Sequence, residues 1–330
     1  MALYDNHGRI INYLRLAVTD RCNLRCFYCM PEQGIDYVAQ QELLTYEEML
    51  RLVTILARQG VTKVRVTGGE PFVRKDMLQF LRALCTVDGI EAVHITTNGT
   101  LTAGIVPELK AMGIRSVNLS LDTLDKERFR EITRRDVLGD VMKTYHALLD
   151  AGIPLKINCV VMDGRNTQDI VPMLELAKDY PVGVRFIEEM PFNGTGAHGD
   201  TFAWNHKQIL DVIRSAHPSV EKIPDPPFST SMNYHIPGFK GDVGIIAAYS
   251  RTFCGTCNRL RITPVGLLKT CLYDAGIFNI KNLMRAGATD EQVVHAISDA
   301  LNHRAKDGWE AESGRLRTTP VHESMSTIGG

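Results

Sequence analysis

Residues 19–30 read TDRCNLRCFYCM and set three cysteines, Cys22, Cys26 and Cys29, at the spacing C-x3-C-x2-C. An apolar run, Tyr13-Leu14-Arg15-Leu16-Ala17-Val18, feeds directly into them. Three cysteines this close cannot all pair as disulfides, but their thiolates can converge on one metal centre. A structural zinc site takes four protein ligands. A 4Fe–4S cluster held by three thiolates keeps one iron open for chemistry. The count of three favours the cluster, and half of a zinc site completed elsewhere stays open beside it.

The flanking chain alternates β-branched runs with helical patterns. Strands are expected at 13–18, 63–67, 92–97, 116–121, 155–161 and 184–188, with helices at 46–59, 77–84, 105–112, 126–132, 140–150 and 170–178. Thr45 with Glu48 three residues on forms a capping box for the first helix. Such alternation implies βαβ units and a parallel sheet. Six units do not complete an eight-stranded barrel, and periodicity alone leaves an open barrel and a doubly wound sheet undecided. The unusual residues cluster at the ends of strands, where barrels carry their chemistry: the cysteine loop, Gly68-Gly69-Glu70, Thr96-Thr97-Asn98, Ser120-Leu121-Asp122 and Glu189-Met190-Pro191.

After Met190 the pattern changes. Residues 193–199 form a Gly-rich loop without the Lys-Ser/Thr of a phosphate-binding loop. A helix at 206–215 precedes Ile223-Pro224-Asp225-Pro226-Pro227, which cannot sit in a central strand. Two domains are expected, 1–222 and 223–330, the second with strands near 244–249 and 260–263, a hairpin through 264–266 into 267–271, helices at 280–285 and 290–303, and a polar tail from 306.

Composition bounds the class. The 330 residues are 44% apolar and 23% charged, with a net charge of −1, so no basic field for nucleic acid exists. No apolar run approaches the ~20 residues of a bilayer span, and the N-terminus lacks a secretory apolar core. A cytoplasmic, reducing setting follows, in which the eight cysteines are ligands or core residues. Cys85 and Cys159 sit in apolar stretches and are read as core. The other six fall in two clusters. The second, Cys254, Cys257 and Cys271, is spaced C-x2-C-x13-C, and a hairpin can gather it. Zinc there would need a fourth ligand such as His235. Arg259 and Arg261 lie between the second and third cysteines, two apart on one strand face, suited to bidentate recognition of phosphate or carboxylate. Arg15, Arg65 and Lys156 each interrupt an apolar strand, and an unpaired cation is costly to bury; an anionic ligand in the barrel would partner all three.

The first cysteine motif, with Tyr28 before its last cysteine, resembles that of radical S-adenosylmethionine (SAM) enzymes. The ordered set LRLAVTDRCNLRCFYCMP, VRVTGGEPFVRKD, TTNG, NLSLD, RFIEEMP, FCGTCNRLRIT and a terminal Gly-Gly spans nearly the whole chain and resembles the GTP 3′,8-cyclase family of molybdenum cofactor biosynthesis. That resemblance implies a partial (β/α)6 TIM-type barrel with the C-terminal region covering its opening. It implies two 4Fe–4S clusters, one on Cys22, Cys26 and Cys29, the other on Cys254, Cys257 and Cys271. It implies a SAM site at Tyr28, Gly69, Ser120 and Met190, and GTP held by Arg15, Arg65, Thr96, Lys156, Arg259, Leu260 and Arg261. Leu260 stands where the family has threonine, leaving its backbone as the contact. The implied reaction is a radical conversion of GTP to (8S)-3′,8-cyclo-7,8-dihydro-GTP. An electron donor, hand-over of the product to cyclic pyranopterin monophosphate synthase, a homodimer, and a double-glycine tail reaching the active site complete the expectation. Two competing readings are a radical SAM peptide-maturing enzyme with auxiliary clusters and a non-catalytic zinc-binding protein.

Overall fold

A computed structural model describes residues 2–192, 204–316 and 323–329; the Gly-rich loop at 193–199 and Gly330 lie outside them. Six βα units come first. Strands β1 (Tyr13–Ala17), β2 (Lys63–Thr67), β3 (Ala92–Thr97), β4 (Ser116–Ser120), β5 (Leu155–Val161) and β6 (Gly183–Glu188) pair in parallel in chain order. Between them run α1 (Tyr46–Arg58), α2 (Met77–Cys85), α3 (Val106–Ala111), α4 (Lys126–Thr133), α5 (Leu138–Asp150) and α6 (Ile170–Asp179). The Thr45–Glu48 capping box opens α1 with both of its bonds formed.

The remainder is α7 (His206–Ala216), β7 (Glu221–Lys222), β8 (Met232–His235), β9 (Asp242–Ile246), β10 (Arg259–Ile262), β11 (Leu267–Lys269), β12 (Phe278–Asn279), α8 (Ile280–Arg285), α9 (Asp290–Asn302), α10 (Gly308–Leu316) and α11 (Met325–Ile328). Its strands join the same sheet. β9 adds in parallel to β6, and β10 adds in parallel to β1, so the six-stranded barrel wall is extended at both edges. Antiparallel strands finish each end, in the order β12-β11-β10-β1-β2-β3-β4-β5-β6-β9-β8-β7. The two end strands are not bonded to each other, so the barrel is open.

Alternation along each strand decides what faces where. Leu14, Leu16, Val64, Val66, Ile95, Val117, Leu119, Ile157 and Val184 are buried and pack with helix residues such as Leu52, Leu56, Leu81 and Leu148 in one continuous core. The intervening positions carry Arg15, Arg65, His94, Lys156 and Arg185, which line the cavity inside the wall. Burial at ~25 cal/mol per Å2 on the helix side thus fixes the register that turns the polar set inward. Among the described residues no helix is long and apolar enough to cross a membrane.

Candidate functional site

The first cysteine loop leaves the C-terminal end of β1 and is clamped by backbone. Gly69 N–H donates to Thr19 O and Glu70 N–H to Arg21 O, both at 2.8 Å. Gly68 has φ +156°, and a Cβ on Gly69 would run into the Arg21 carbonyl. The glycine pair is required because two backbones touch there. Glu70 is fully buried and accepts from Thr97 Oγ1 (2.8 Å), Asn98 N (2.6 Å) and Phe72 N (3.1 Å), so the Gly-Gly-Glu turn is locked to the end of β3 as well. Arg134, at φ +56°, donates to the carbonyls of Arg25 and Met30 on the loop's far side. Tyr28 donates its hydroxyl to Asp122 Oδ2 at 2.9 Å.

Burial pushes the Cys22 thiol up to about 12 and Cys29 to about 11, and holds Cys26 well above the usual range. Each set of three thiols is mutually close, since Cys26 feels the charges of Cys29 and Cys22, and Cys271 those of Cys257 and Cys254. Yet among the described residues no three Cys, His, Asp or Glu side chains close on a single metal ion. Three soft sulfur donors with no fourth ligand suit an iron–sulfur cluster with one open iron better than a four-ligand structural zinc. Any cluster must displace the protons those buried thiols hold.

The second set gathers as the hairpin requires: β10 leaves Cys254 and Cys257, and antiparallel β11 returns to Cys271. Because β10 runs parallel to β1 with Tyr13 opposite Arg259, Cys257 lies at the level where β1 begins, whereas Cys22 follows its end. The four residue steps from Tyr13 to Ala17 span about 13 Å. The two sets therefore occupy opposite ends of the barrel axis rather than facing across one mouth. Arg304, 3% exposed, donates to Cys257 Sγ at 3.2 Å and to the Cys257 and Arg259 carbonyls. Burial would raise the Cys257 thiol, but the Arg259 and Arg304 guanidiniums outweigh it and bring it to about 7. Cys159 is buried as expected, and Cys85 is half-buried.

Between the two ends lies a cavity of about 690 Å3. Arg15, Arg65, Lys156, Met190, Arg259, Arg261 and all three cysteines of the second set line it. So do Lys63, Arg185, Arg9, Arg251 and Arg304, cations absent from the expected set; the same strand alternation that marks Arg65 marks Lys63 and Arg185. Burial, and then the charge of Arg185, push the Lys156 ammonium down to about 8. Arg185 itself pairs with Asp242 at 2.6 Å. Thr96 sits behind Arg65, with its hydroxyl 3.5 Å from the guanidinium. Leu260 turns its side chain into the apolar core, at 0% exposure. Ser120 ends β4, half-buried. Neither it nor the first cysteine set lines the cavity.

The chain's last described residues join the two ends. Ser324 Oγ donates to Cys29 O at 2.6 Å, and the Gly329 carbonyl accepts from Arg15 and Arg261, each at 3.4 Å.

Comparisons with known proteins place the chain in a family. Residues 16–177 match the family model for the radical SAM superfamily, and residues 182–309 the model called Molybdenum Cofactor Synthesis C. A protein called GTP 3′,8-cyclase from Syntrophomonas wolfei is 38% identical, over 99% of this chain and 100% of its own. The mitochondrial GTP 3′,8-cyclase of Arabidopsis thaliana is also 38% identical, over 99% of this chain and 83% of its own. Molybdenum cofactor biosynthesis protein 1 of Bos taurus is 40% identical over 92% of this chain; the chain spans about half the length of such mammalian relatives, 48% here. Among solved structures, Streptococcus suis SuiB superposes with a TM-score of 0.65 over 96% of this chain and 77% of its own, at 14% identity, a likeness of fold.

Proposed function

Because the chain belongs to the GTP 3′,8-cyclase family of the radical SAM superfamily, we propose that it converts GTP to (8S)-3′,8-cyclo-7,8-dihydro-GTP, an early step of molybdenum cofactor biosynthesis. The observation that carries this reading is the cation-lined cavity walled on one side by the second three-cysteine set. The cluster that Cys22, Cys26 and Cys29 would hold would, with SAM, supply one-electron radical chemistry able to abstract the ribose 3′ hydrogen; joining C3′ to C8 of guanine would then require one further electron and a proton to give the 7,8-dihydro product.

This chain's residues supply position. Cys22, Cys26 and Cys29 would hold the first cluster, with Tyr28, Gly69, Ser120 and Met190 around SAM. Gly69 would do so through backbone, which its N–H bond to the Thr19 carbonyl already fixes. Cys254, Cys257 and Cys271 would hold the second, beside the guanine. Arg259 and Arg261 stand on that side, with the backbone of Leu260 between them. Arg15, Arg65, Thr96 and Lys156 serve the sugar and phosphates, joined by Lys63 and Arg185. A polyanion relieves the mutual repulsion of these cations. The ordered wall and the inserted tail exclude water and competing hydrogen donors. We further propose the division 1–222 and 223–330, a cytoplasmic setting, an external electron donor, transfer of product to the next pathway enzyme, and a homodimer.

The test is anaerobic. Reconstituted protein should hold about eight irons per chain. Incubated with reductant, SAM and GTP, it should form 5′-deoxyadenosine only when GTP is present, with a nucleotide product isomeric with GTP. SAM cleavage indifferent to GTP overturns the substrate; stoichiometric zinc in place of iron overturns the reaction class.

A further inference from the structure

One side chain on the cavity wall has no place in the scheme above. His94 lies on β3, between Arg65 on β2 and Ser116 on β4 by register. Its Nδ1 is 2.7 Å from Ser116 Oγ, which fixes the ring. Its Nε2 is shut from solvent and has no hydrogen-bond partner among the described residues, while the residue lines the cavity. Two further polar atoms share that condition on the next strands, Asn118 Oδ1 and Asn158 Oδ1, both on cavity-lining residues. Buried polar atoms are ordinarily paired, and three orphans on adjacent strands mark a place where a polar ligand completes the wall.

We infer that His94 is a binding residue for the phosphate end of the nucleotide, donating from Nε2–H to a phosphate oxygen while Ser116 holds its Nδ1. This rests on the nucleotide reading of the cavity. The guanine end belongs beside β10 and its cysteines, which leaves the phosphates the side of β2, β5 and β6, where Lys63, Arg65, Lys156 and Arg185 stand. A neutral donor among those cations adds a hydrogen bond to the anion without adding repulsion. The ring is neutral for that reason: burial, followed by the charges of Arg65 and Lys63, presses it down to about 3. With Ser116 donating, Nδ1 accepts and the proton sits on Nε2. The opposite tautomer would turn a lone pair toward phosphate, so the bound anion selects this one.

The experiment is calorimetric titration of reconstituted full-length protein with GTP and, separately, with guanosine. His94→Phe keeps a ring of similar volume and removes the donor; His94→Gln keeps an N–H. We expect wild type to prefer GTP. His94→Phe should lose about tenfold or more in GTP affinity, the scale of one hydrogen bond to a charged group, with guanosine affinity unchanged. His94→Gln should recover most of the loss, and Ser116→Ala should fall between. Nitrogen chemical shifts of His94 should report a protonated Nε2 in the GTP complex. Wild-type GTP affinity in His94→Phe, or equal losses for GTP and guanosine, overturns the inference and leaves the nucleotide reading standing. A wild type with no preference for GTP over guanosine overturns that reading, and this inference with it.

Discussion

Tyr13 opens β1 with its phenol oxygen 2.7 Å from Arg65 Nε. Burial alone would raise its titration, but the surrounding Arg65 and Arg15 charges prevail and bring it to about 8 from the usual 10.0. Between those values the unfolded phenol keeps a proton that the folded one has lost. The group therefore adds stability as pH climbs from about 8 to about 10, and that contribution disappears as pH falls through about 8, roughly 2–3 kcal/mol in all. Lys156, pressed down to about 8, acts with the same sign. Nucleotide-free protein should show a phenolate absorbance step near pH 8 that Tyr13→Phe abolishes, with a flatter rise in melting temperature above that pH. A step that persists in Tyr13→Phe, or lies near pH 10, contradicts this account. At this scale the sequence showed charge inside strands at Arg15, Arg65 and Lys156. It hid Lys63 because that residue opens its strand, where a cation usually meets water, whereas Arg185, third in β6 as Arg65 is third in β2, was legible by the same rule. It hid His94 because neutral histidine is common on any half-buried strand.

Elements were legible where local chemistry is strong. The Thr45–Glu48 box, the β-branched runs of β1 to β6 and the hairpin from β10 to β11 each follow from short-range rules. Several features escaped, two of them for clear reasons. The parallel docking of β10 on β1 joins residues nearly 250 positions apart, and no local signal announces such a pairing. Helix α10 begins at Gly308 and carries Gly314, so its propensity is poor. Packing decides it instead: Arg251 lies over the Tyr273 and Trp309 rings, at 3.7 and 3.9 Å, and pairs with Glu312 at 2.6 Å. The Gly-Gly-Glu turn was legible as a motif but not as a clamp. Its prediction follows from the contact. Gly69→Ala forces a Cβ into the Arg21 carbonyl, so the loop that carries the first three cysteines must move. Reconstituted Gly69→Ala should hold about half the wild-type iron, with the second set loaded normally, as read by iron and sulfide analysis with electron paramagnetic resonance. Cys271→Ala should give the complementary loss. Full iron in Gly69→Ala would show that the clamp is dispensable.

Across the whole molecule, the chain's two ends converge on the site. Near the N-terminus, buried Asp5 pairs with Arg9 at 2.6 Å and with Arg304 at 3.0 Å, and Arg9 reaches the Cys254 carbonyl. Arg304→Ala leaves Asp5 its Arg9 partner but removes a second guanidinium from it and the donors to the Cys257 and Arg259 carbonyls, and should cost about 1–3 kcal/mol, seen as a lower melting temperature together with reduced iron in the second set; an unchanged melt would exclude the network as a fastener.

The C-terminal tail differs in kind. Buried Lys269 and Arg315 both grip Glu323 at 2.9 Å, and this anchor aims Ser324 at the first cysteine loop and the Gly329 carbonyl at Arg15 and Arg261. Gly329 takes φ +73°, and a Cβ there would stand 2.7 Å from Ala17 Cβ and from Thr67 Oγ1. Because the anchor lies upstream, Gly329→Ala should leave the fold and its melting temperature intact. It should instead shift the carbonyl that orders the two arginines, which stand side by side on β1 and β10. Positioning errors of about an ångström cost rates on the order of a hundredfold, so GTP cyclisation should fall by about that factor while 5′-deoxyadenosine formation continues. Chromatography of both products from one reaction gives the ratio. Parallel loss of the two would make the tail a support for SAM cleavage, and unchanged cyclisation would remove it from the site.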